Sequence, residues 1–358
     1  MPGEGELVSV VVPAYNAEAT IDATLESVRA QTYRNLEILV VDDGSSDRTA
    51  AIAATHAAAD PRVGVLTTPN GGVAAARNIG IAETRGALIA AVDADDLWHP
   101  TKIARQVDRI GIGGPDMAYV YTGFRQIRLD GSVMGRGTFH DCQGEVFLRS
   151  VFSNFVGNGS ALLFRRGAIE EVGGYEPELH RLGFQGAEDR LVQTLMARIG
   201  TVGAVLACLT GYRQVPGAMS KNRLRMLHSQ LTVVRMVAER IPEAPTWVLD
   251  AARAQLEIRT AKELMQGGTG AQAISYFNRA IGHDARVART QLRIELSGIR
   301  HRAQHRFLPQ LRNVPEPAPR HFYDIGPEEG IKTVRVEPYK WLHDRIAANE
   351  LPVRRPAG

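Results

Sequence analysis

The feature that most constrains this chain is the regular alternation, over its first hundred residues, of unbroken apolar runs with segments of helical period. Residues 7–12 (LVSVVV), 36–41 (LEILVV), 63–66 and 87–92 (ALIAAV) are dominated by β-branched and small apolar side chains. Between them, residues 17–30, 49–58 and 73–83 have the composition and spacing of helices. Strands that are apolar on both faces and joined through helices belong in a mainly parallel sheet covered on both sides. These strands run into polar clusters: PAYN at 13–16, DDGS at 42–45 and DADD at 93–96. Open sheets of this kind bind ligands beyond the carboxyl ends of their strands, so the three clusters are expected at one edge.

Downstream, residues 117–133 alternate around an Asp-Gly turn at 130–131, the pattern of a hairpin. A helix over 145–152, a strand over 161–164, a helix over 187–199 and a strand over 201–209 follow, and the first domain is expected to close near Ser220. Helices are then expected over 222–240, 246–265, 270–281 and 285–307. Six prolines between 309 and 338 predict an extended arm, and 339–349 a short terminal helix. The resulting division is 1–220, a helical domain at 221–308 and a Pro-rich tail at 309–358. A length of 358 residues agrees, at about 150 residues per domain, with two domains.

Charge is unevenly divided. Residues 1–210 hold 18 basic and 25 acidic side chains, and residues 211–358 hold 24 and 14. The acidic part suits a cation site. The basic part, with Arg286, Arg289, Arg293 and Arg300 on one helical face, suits an anionic membrane surface, and the helical region is also a candidate homodimer surface. No run reaches the ~18–20 apolar residues that span a bilayer. The opening MPGEGE is acidic where a secretory leader is basic, and Cys142 and Cys208 are far apart. The expected location is therefore the cytoplasm, with peripheral contact at the inner face of the membrane; no nucleic-acid partner is expected.

Asp93, Asp95 and Asp96 place three carboxylates within four residues, a repulsive arrangement that a divalent cation would relieve. Hard oxygen donors favour Mg²⁺ or Mn²⁺, with Asp93 and Asp95 as ligands, while Asp96 is expected to cap the helix that starts near Pro100. Asp43, at the end of the second strand, is placed to accept hydrogen bonds from a base or ribose. Pro13, Ala14 and Tyr15 form a stiff turn whose aromatic ring suits packing on a base. The segment NGGVAAARN at 70–78 is a glycine turn entering a small-residue helix; its spacing is not that of a dinucleotide fingerprint, and Arg77 points to a base or phosphate or to a surface ion pair. Glu188 and Asp189 open a helix, where a carboxylate serves as a general base if it meets a hydroxyl.

Together, VSVVVPAYN (8–16), VVDDGSSDRT (40–49), NGGVAAARNIG (70–80), VDADDLW (92–98) and EDRL (188–191) resemble family 2 of the glycosyltransferases, in that order. The resemblance implies a GT-A, Rossmann-like fold: a mixed, mainly parallel sheet flanked by helices, here followed by an α-helical C-terminal region. It also implies an inverting hexosyltransferase that moves a sugar from a nucleotide-diphosphate donor, usually UDP-linked, to an acceptor hydroxyl on a glycan or lipid-linked sugar. By the same resemblance Pro13, Ala14, Tyr15, Asp43 and Arg77 hold the nucleotide, and Asp93 and Asp95 form the DxD pair at ribose and metal. Asp189 becomes the base beside Glu188, and Arg213 faces the diphosphate. The QxxRW element of processive synthases is absent, which favours single addition in surface-polysaccharide or glycoconjugate synthesis. The competing reading is a non-catalytic protein that keeps the nucleotide-sugar fold.

Overall fold

The computed structural model describes residues 5–184, 186–215, 221–307, 319–333 and 339–354. The expected end of the first domain near Ser220, and residues 309–318 and 334–338 of the expected extended arm, lie outside the described residues.

The N-terminal half alternates as expected: β1 (Val8–Ala14), α1 (Ile21–Arg29), β2 (Leu36–Asp42), α2 (Thr49–Ala59), β3 (Val63–Thr67), α3 (Val73–Ala82) and β4 (Leu88–Ala91). β1 is central and buried along its length, and it pairs in parallel with β2 on one side and β4 on the other. The chain leaves β1 toward β2 and β3, then returns through α3 to β4 across β1. This reversal is a topological switch point, and it opens a crevice at the carboxyl ends of β1 and β4.

The second half extends the sheet with β5 (Leu97–Trp98), α4 (Lys102–Ile112), β6 (Met117–Ile127), β7 (Gly137–Phe139), α5 (Phe147–Phe152) and β8 (Leu162–Arg165). Then come α6 (Arg166–Glu171), α7 (Glu178–Arg181), α8 (Glu188–Ile199) and β9 (Thr201–Arg213). β8 pairs antiparallel with β4 and β6, and β9 runs parallel to β6 and antiparallel to β5. The mixed, mainly parallel α/β sheet of the sequence reading is present. The hairpin expected over 117–133 is only a bridge between Ile127 and Val133, because β6 is instead paired along its length with β9. β9 also continues past the expected Leu209 to Arg213, where Gly211 and Thr210 pair with β5.

Three long helices follow: α9 (Arg223–Arg240), α10 (Thr246–Gln266) and α11 (Gly270–Phe307). Asp284 breaks α11 with extended backbone angles, which matches two helices meeting there. Among the described residues, no helix is long and apolar enough to cross a membrane. The chain then returns to the sheet as β10 (Ile331–Thr333), parallel to β7, and ends with α12 (Lys340–Ala348).

α8 joins the two halves. Its Val192 and Met196 enter the core beneath the sheet, whereas Leu191 and Leu195 pack with α5, with Val233 and Val237 of α9 and with Leu342 of α12. Burying both faces of one helix in different cores fixes its axial position, and its first turn opens at the crevice.

Candidate active site

Loops from distant parts of the chain meet at the switch point around a cleft of about 760 Å³. Pro13, Ala14, Tyr15, Asp43, Arg77, Asp93, Asp95, Glu188, Asp189 and Arg213 all line it. Every residue singled out from the sequence as a site candidate is therefore at one cavity.

The β1 end is stitched to the β2 end. Asn16 takes a left-handed backbone (φ 48°), and its amide N–H donates to Ser45 Oγ at 2.9 Å. The Ser46 N–H donates in return to Asn16 Oδ1 at 2.9 Å. This turn lifts Tyr15 into solvent at the cleft, where it is 55% exposed. An aromatic ring held out of the core beside a cavity is suited to stacking on a planar group.

Asp43 has a different local task. It is only 4% exposed, and its carboxylate oxygens accept the N–H groups of Gly71 and Gly72 at 2.8 and 2.9 Å. It thereby anchors the glycine turn that begins α3. Gly72 has φ 85°, and a Cβ there would lie 2.8 Å from the His180 ring, so only glycine fits. At Gly80 a Cβ would lie 2.3 Å from Val11 Cγ1, which shows how closely α3 approaches β1.

That approach delivers Arg77 to the cleft. Arg77 is buried and not at the surface; its Nη2 meets Asp93 Oδ1 at 2.5 Å, and its guanidinium carbon lies 5.0 Å from the centre of the Tyr175 ring. Asp93 is further held by its own N–H, which donates to Ser160 Oγ at 3.0 Å.

Asp96 does not cap the following helix, whose N-cap is Thr101. It is fully buried and accepts from the Arg213 N–H at 2.9 Å and from Asn158 Nδ2 at 3.3 Å. Burial first, then Asp95 and Asp93, push its carboxyl well above the usual range. The Arg213 side chain donates Nε to the Asp95 carbonyl at 2.5 Å and Nη1 to the carbonyls of Arg128 and Leu129. Arg213 thus braces the carboxylate loop against the 128–131 turn. Ser160 and Asn158 are supports that carry no local sequence pattern; Trp98, the last residue of VDADDLW, holds Ser160 by donating Nε1 to its carbonyl at 2.8 Å.

At the start of α8, Glu188 Oε2 accepts the Gly186 N–H at 2.8 Å, while its Oε1 is buried without a partner among the described residues. Asp189 Oδ1 accepts the N–H of Arg190 at 2.7 Å. Burial pushes the Asp189 carboxyl up to about 6, with Arg77 pulling down and Glu188 pushing up. A carboxylate with that pKa is poised for proton exchange near neutrality. A Cβ on Gly159 would lie 3.4 Å from Arg77 Nη2 and 3.7 Å from Asp189 Oδ2, so the two charges face each other across a glycine gap.

The donor set fits a hard divalent cation only as a partial shell. Burial and the charge of Asp93 raise the Asp95 carboxyl, a local excess of negative charge that a cation would relieve. Among the described residues no group of three His, Cys, Asp or Glu side chains is arranged to hold a metal alone. Remaining positions would fall to ligand phosphate oxygens and water, as hard cations commonly allow.

Residues 9–173 match the family model described as Glycosyl transferase family 2. Over 102 residues the chain is 43% identical to the UDP-Glc:alpha-D-GlcNAc-diphosphoundecaprenol beta-1,3-glucosyltransferase WfgD of Escherichia coli, covering 28% of this chain and 40% of that one. The match to the first curated relatives spans 24–37% of their lengths. The fold is similar to that of S. aureus TarS 1–349 in complex with UDP-GlcNAc (TM-score 0.58, 18% identity, 82% of this chain and 92% of that one). It is also similar to the mannosyltransferase PcManGT from Pyrobaculum calidifontis in complex with GDP-Man and Mn²⁺ (TM-score 0.54, 21% identity, 78% and 76%). Residues 9–173 thus match family 2 of the glycosyltransferases, and the fold is similar to that of GT-A glycosyltransferases.

Proposed function

We propose that the chain is an inverting glycosyltransferase that transfers a hexose from a nucleoside-diphosphate donor, a UDP-sugar by preference, to an acceptor hydroxyl in polysaccharide or glycoconjugate synthesis. The observation that carries this reading is the convergence of Tyr15, Asp43, Arg77, Asp93, Asp95 and Asp189, from five separate segments, on one cleft. In it, Tyr15 stacks on the base, with Pro13 and Ala14 as floor, and Asp43 presents the turn beside the nucleotide. Arg77 neutralises Asp93 and orients it toward the ribose. Arg213 holds the loop that carries Asp95 and lines the cleft on the side of the diphosphate.

Asp95, with Asp93, would hold Mn²⁺ or Mg²⁺, which when bound supplies positive charge for the leaving diphosphate. Asp189 takes the proton of the attacking hydroxyl, and Glu188 helps keep its carboxyl poised for that exchange. The protein works on the cytoplasmic side, where the exposed Arg289 and Arg293 on α11 favour peripheral contact with anionic lipid. Residues 1–220 would form the catalytic unit, with 221–308 as the helical domain and 309–358 as the returning arm.

The test is a panel of nucleotide-sugars with and without Mn²⁺, read as released nucleoside diphosphate. Turnover of a UDP-sugar that depends on the cation and is lost in Asp95→Ala supports the reading. Absence of both turnover and UDP binding across the panel refutes it.

A further inference from the structure

Arg190 directly follows the proposed base. It is 3% exposed, yet neither of its side-chain hydrogen bonds goes to a carboxylate. Nη2 donates to the Val151 carbonyl at 2.9 Å, and Nη1 makes a long contact of 3.4 Å with Gln230 Oε1. Among the described residues its Nε is buried without a hydrogen-bond partner. A guanidinium has five donors in a rigid fork, and burial without a paired anion is costly enough that such side chains are normally matched. The acidic neighbour that favours its charge is Asp189, which already faces Arg77, while Arg259 opposes it.

Arg190 is also among the residues that line the cleft. Arg190, Gln230, Met226 and Asn154 form a wall contributed by α8, α9 and the end of α5, apart from the β1–β3 loops assigned to the nucleotide. The wall adjoins Asp189, where the acceptor hydroxyl must arrive. Its charge is positive, and its weakest contact, to Gln230, is the one that an incoming anion would replace.

We propose that this wall selects an acceptor that carries an anionic group, a phosphate or a carboxylate, close to the hydroxyl that is glycosylated. Arg190 is the specificity residue and Gln230 holds it when the site is empty of acceptor. The inference rests on the transferase reading above and names the acceptor class for that site.

The test uses full-length protein saturated with UDP and Mn²⁺, so that the nucleotide region is filled. sn-Glycerol 3-phosphate and glucuronate are titrated by NMR against glycerol and glucose as neutral counterparts. In wild type the charged probes bind roughly tenfold tighter or more than the neutral ones, the scale of one hydrogen bond between charged partners. A preference for glycerol phosphate indicates a phosphate-bearing acceptor, and one for glucuronate a uronate. Arg190→Gln abolishes the preference while UDP affinity is retained. Gln230→Glu abolishes it as well, by supplying a carboxylate to an intact Arg190, and so remains decisive if Arg190→Gln fails to fold. Equal affinity for charged and neutral probes in UDP-bound wild type overturns the proposal. So does a preference that survives Gln230→Glu, or an Arg190→Gln protein that melts earlier but still discriminates, since Arg190 would then be only a strut between α8 and α5. Failure to bind UDP would instead refute the transferase reading, and this inference with it.

Discussion

Asp43→Ala separates two tasks that one carboxylate is asked to perform. The side chain receives two backbone N–H groups, from Gly71 at 2.8 Å and Gly72 at 2.9 Å, inside a nearly closed environment. A hydrogen bond to a charged group contributes about 1.5–3 kcal/mol, and a buried donor left without a partner costs a comparable amount. Water reaches Gly71 more readily than Gly72, so the second bond dominates, and the loss expected is about 2–4 kcal/mol. At roughly 2–4 °C per kcal/mol for a domain of this size, thermal unfolding of the ligand-free protein should come about 4–16 °C earlier. Asp43→Asn keeps one acceptor oxygen and should lose about half as much. UDP affinity should fall in both variants, in the same order as stability, because the glycine turn and α3 carry Arg77 into the cleft. Differential scanning fluorimetry without ligand, paired with UDP titration, reads both effects. If Asp43→Ala melts like wild type and loses only UDP affinity, the anchoring role assigned to Asp43 is wrong.

Two further perturbations test other parts of the site. With Asp189 as the proposed base, active in its ionised form, and its carboxyl pushed up to about 6, kcat/KM should rise with pH through about 6 and level off above it; a profile flat from pH 5 to 8 contradicts the assignment. Phe322 is fully buried against Leu97 and Ile127, so Phe322→Ala should cost about 3–5 kcal/mol locally. That loss should free the arm around 319–333, read as new tryptic cleavage at Arg320, and an arm as resistant as in wild type would contradict the packing.

The alternating half of the fold was legible because β1, β2 and β4 are apolar runs with their own turn chemistry, so that local pattern and final burial agree, whereas β3, at the sheet edge, is only partly buried. The carboxylates were legible because they stand at strand or helix ends, and Arg77 because it follows a glycine turn by one helical turn. What the chain concealed are partnerships across distance. The countercharge of Asp93 is Arg77, and the supports of Asp96 are Asn158 and Arg213, far along the chain. Asp96 sits where a helix cap is common, and only the closure of β9 against β5 shows that it is buried instead. β10 has three residues and owes its place to β7, almost two hundred positions earlier, which no local propensity encodes. Arg190 reads as one more charge at a helix start, a position where most side chains are solvated. Its burial follows from the packing of α5 and α9 around α8, a tertiary effect.

The proposed division of labour gives donor binding and proton transfer to different residues of a single cleft. It is tested most directly by measuring UDP-sugar turnover and UDP affinity side by side in wild type and Asp189→Asn. The account predicts a fall in kcat of about 10²–10⁴-fold with UDP affinity within about twofold of wild type. Turnover that persists in the variant, or UDP affinity that collapses along with it, would contradict that division of the site.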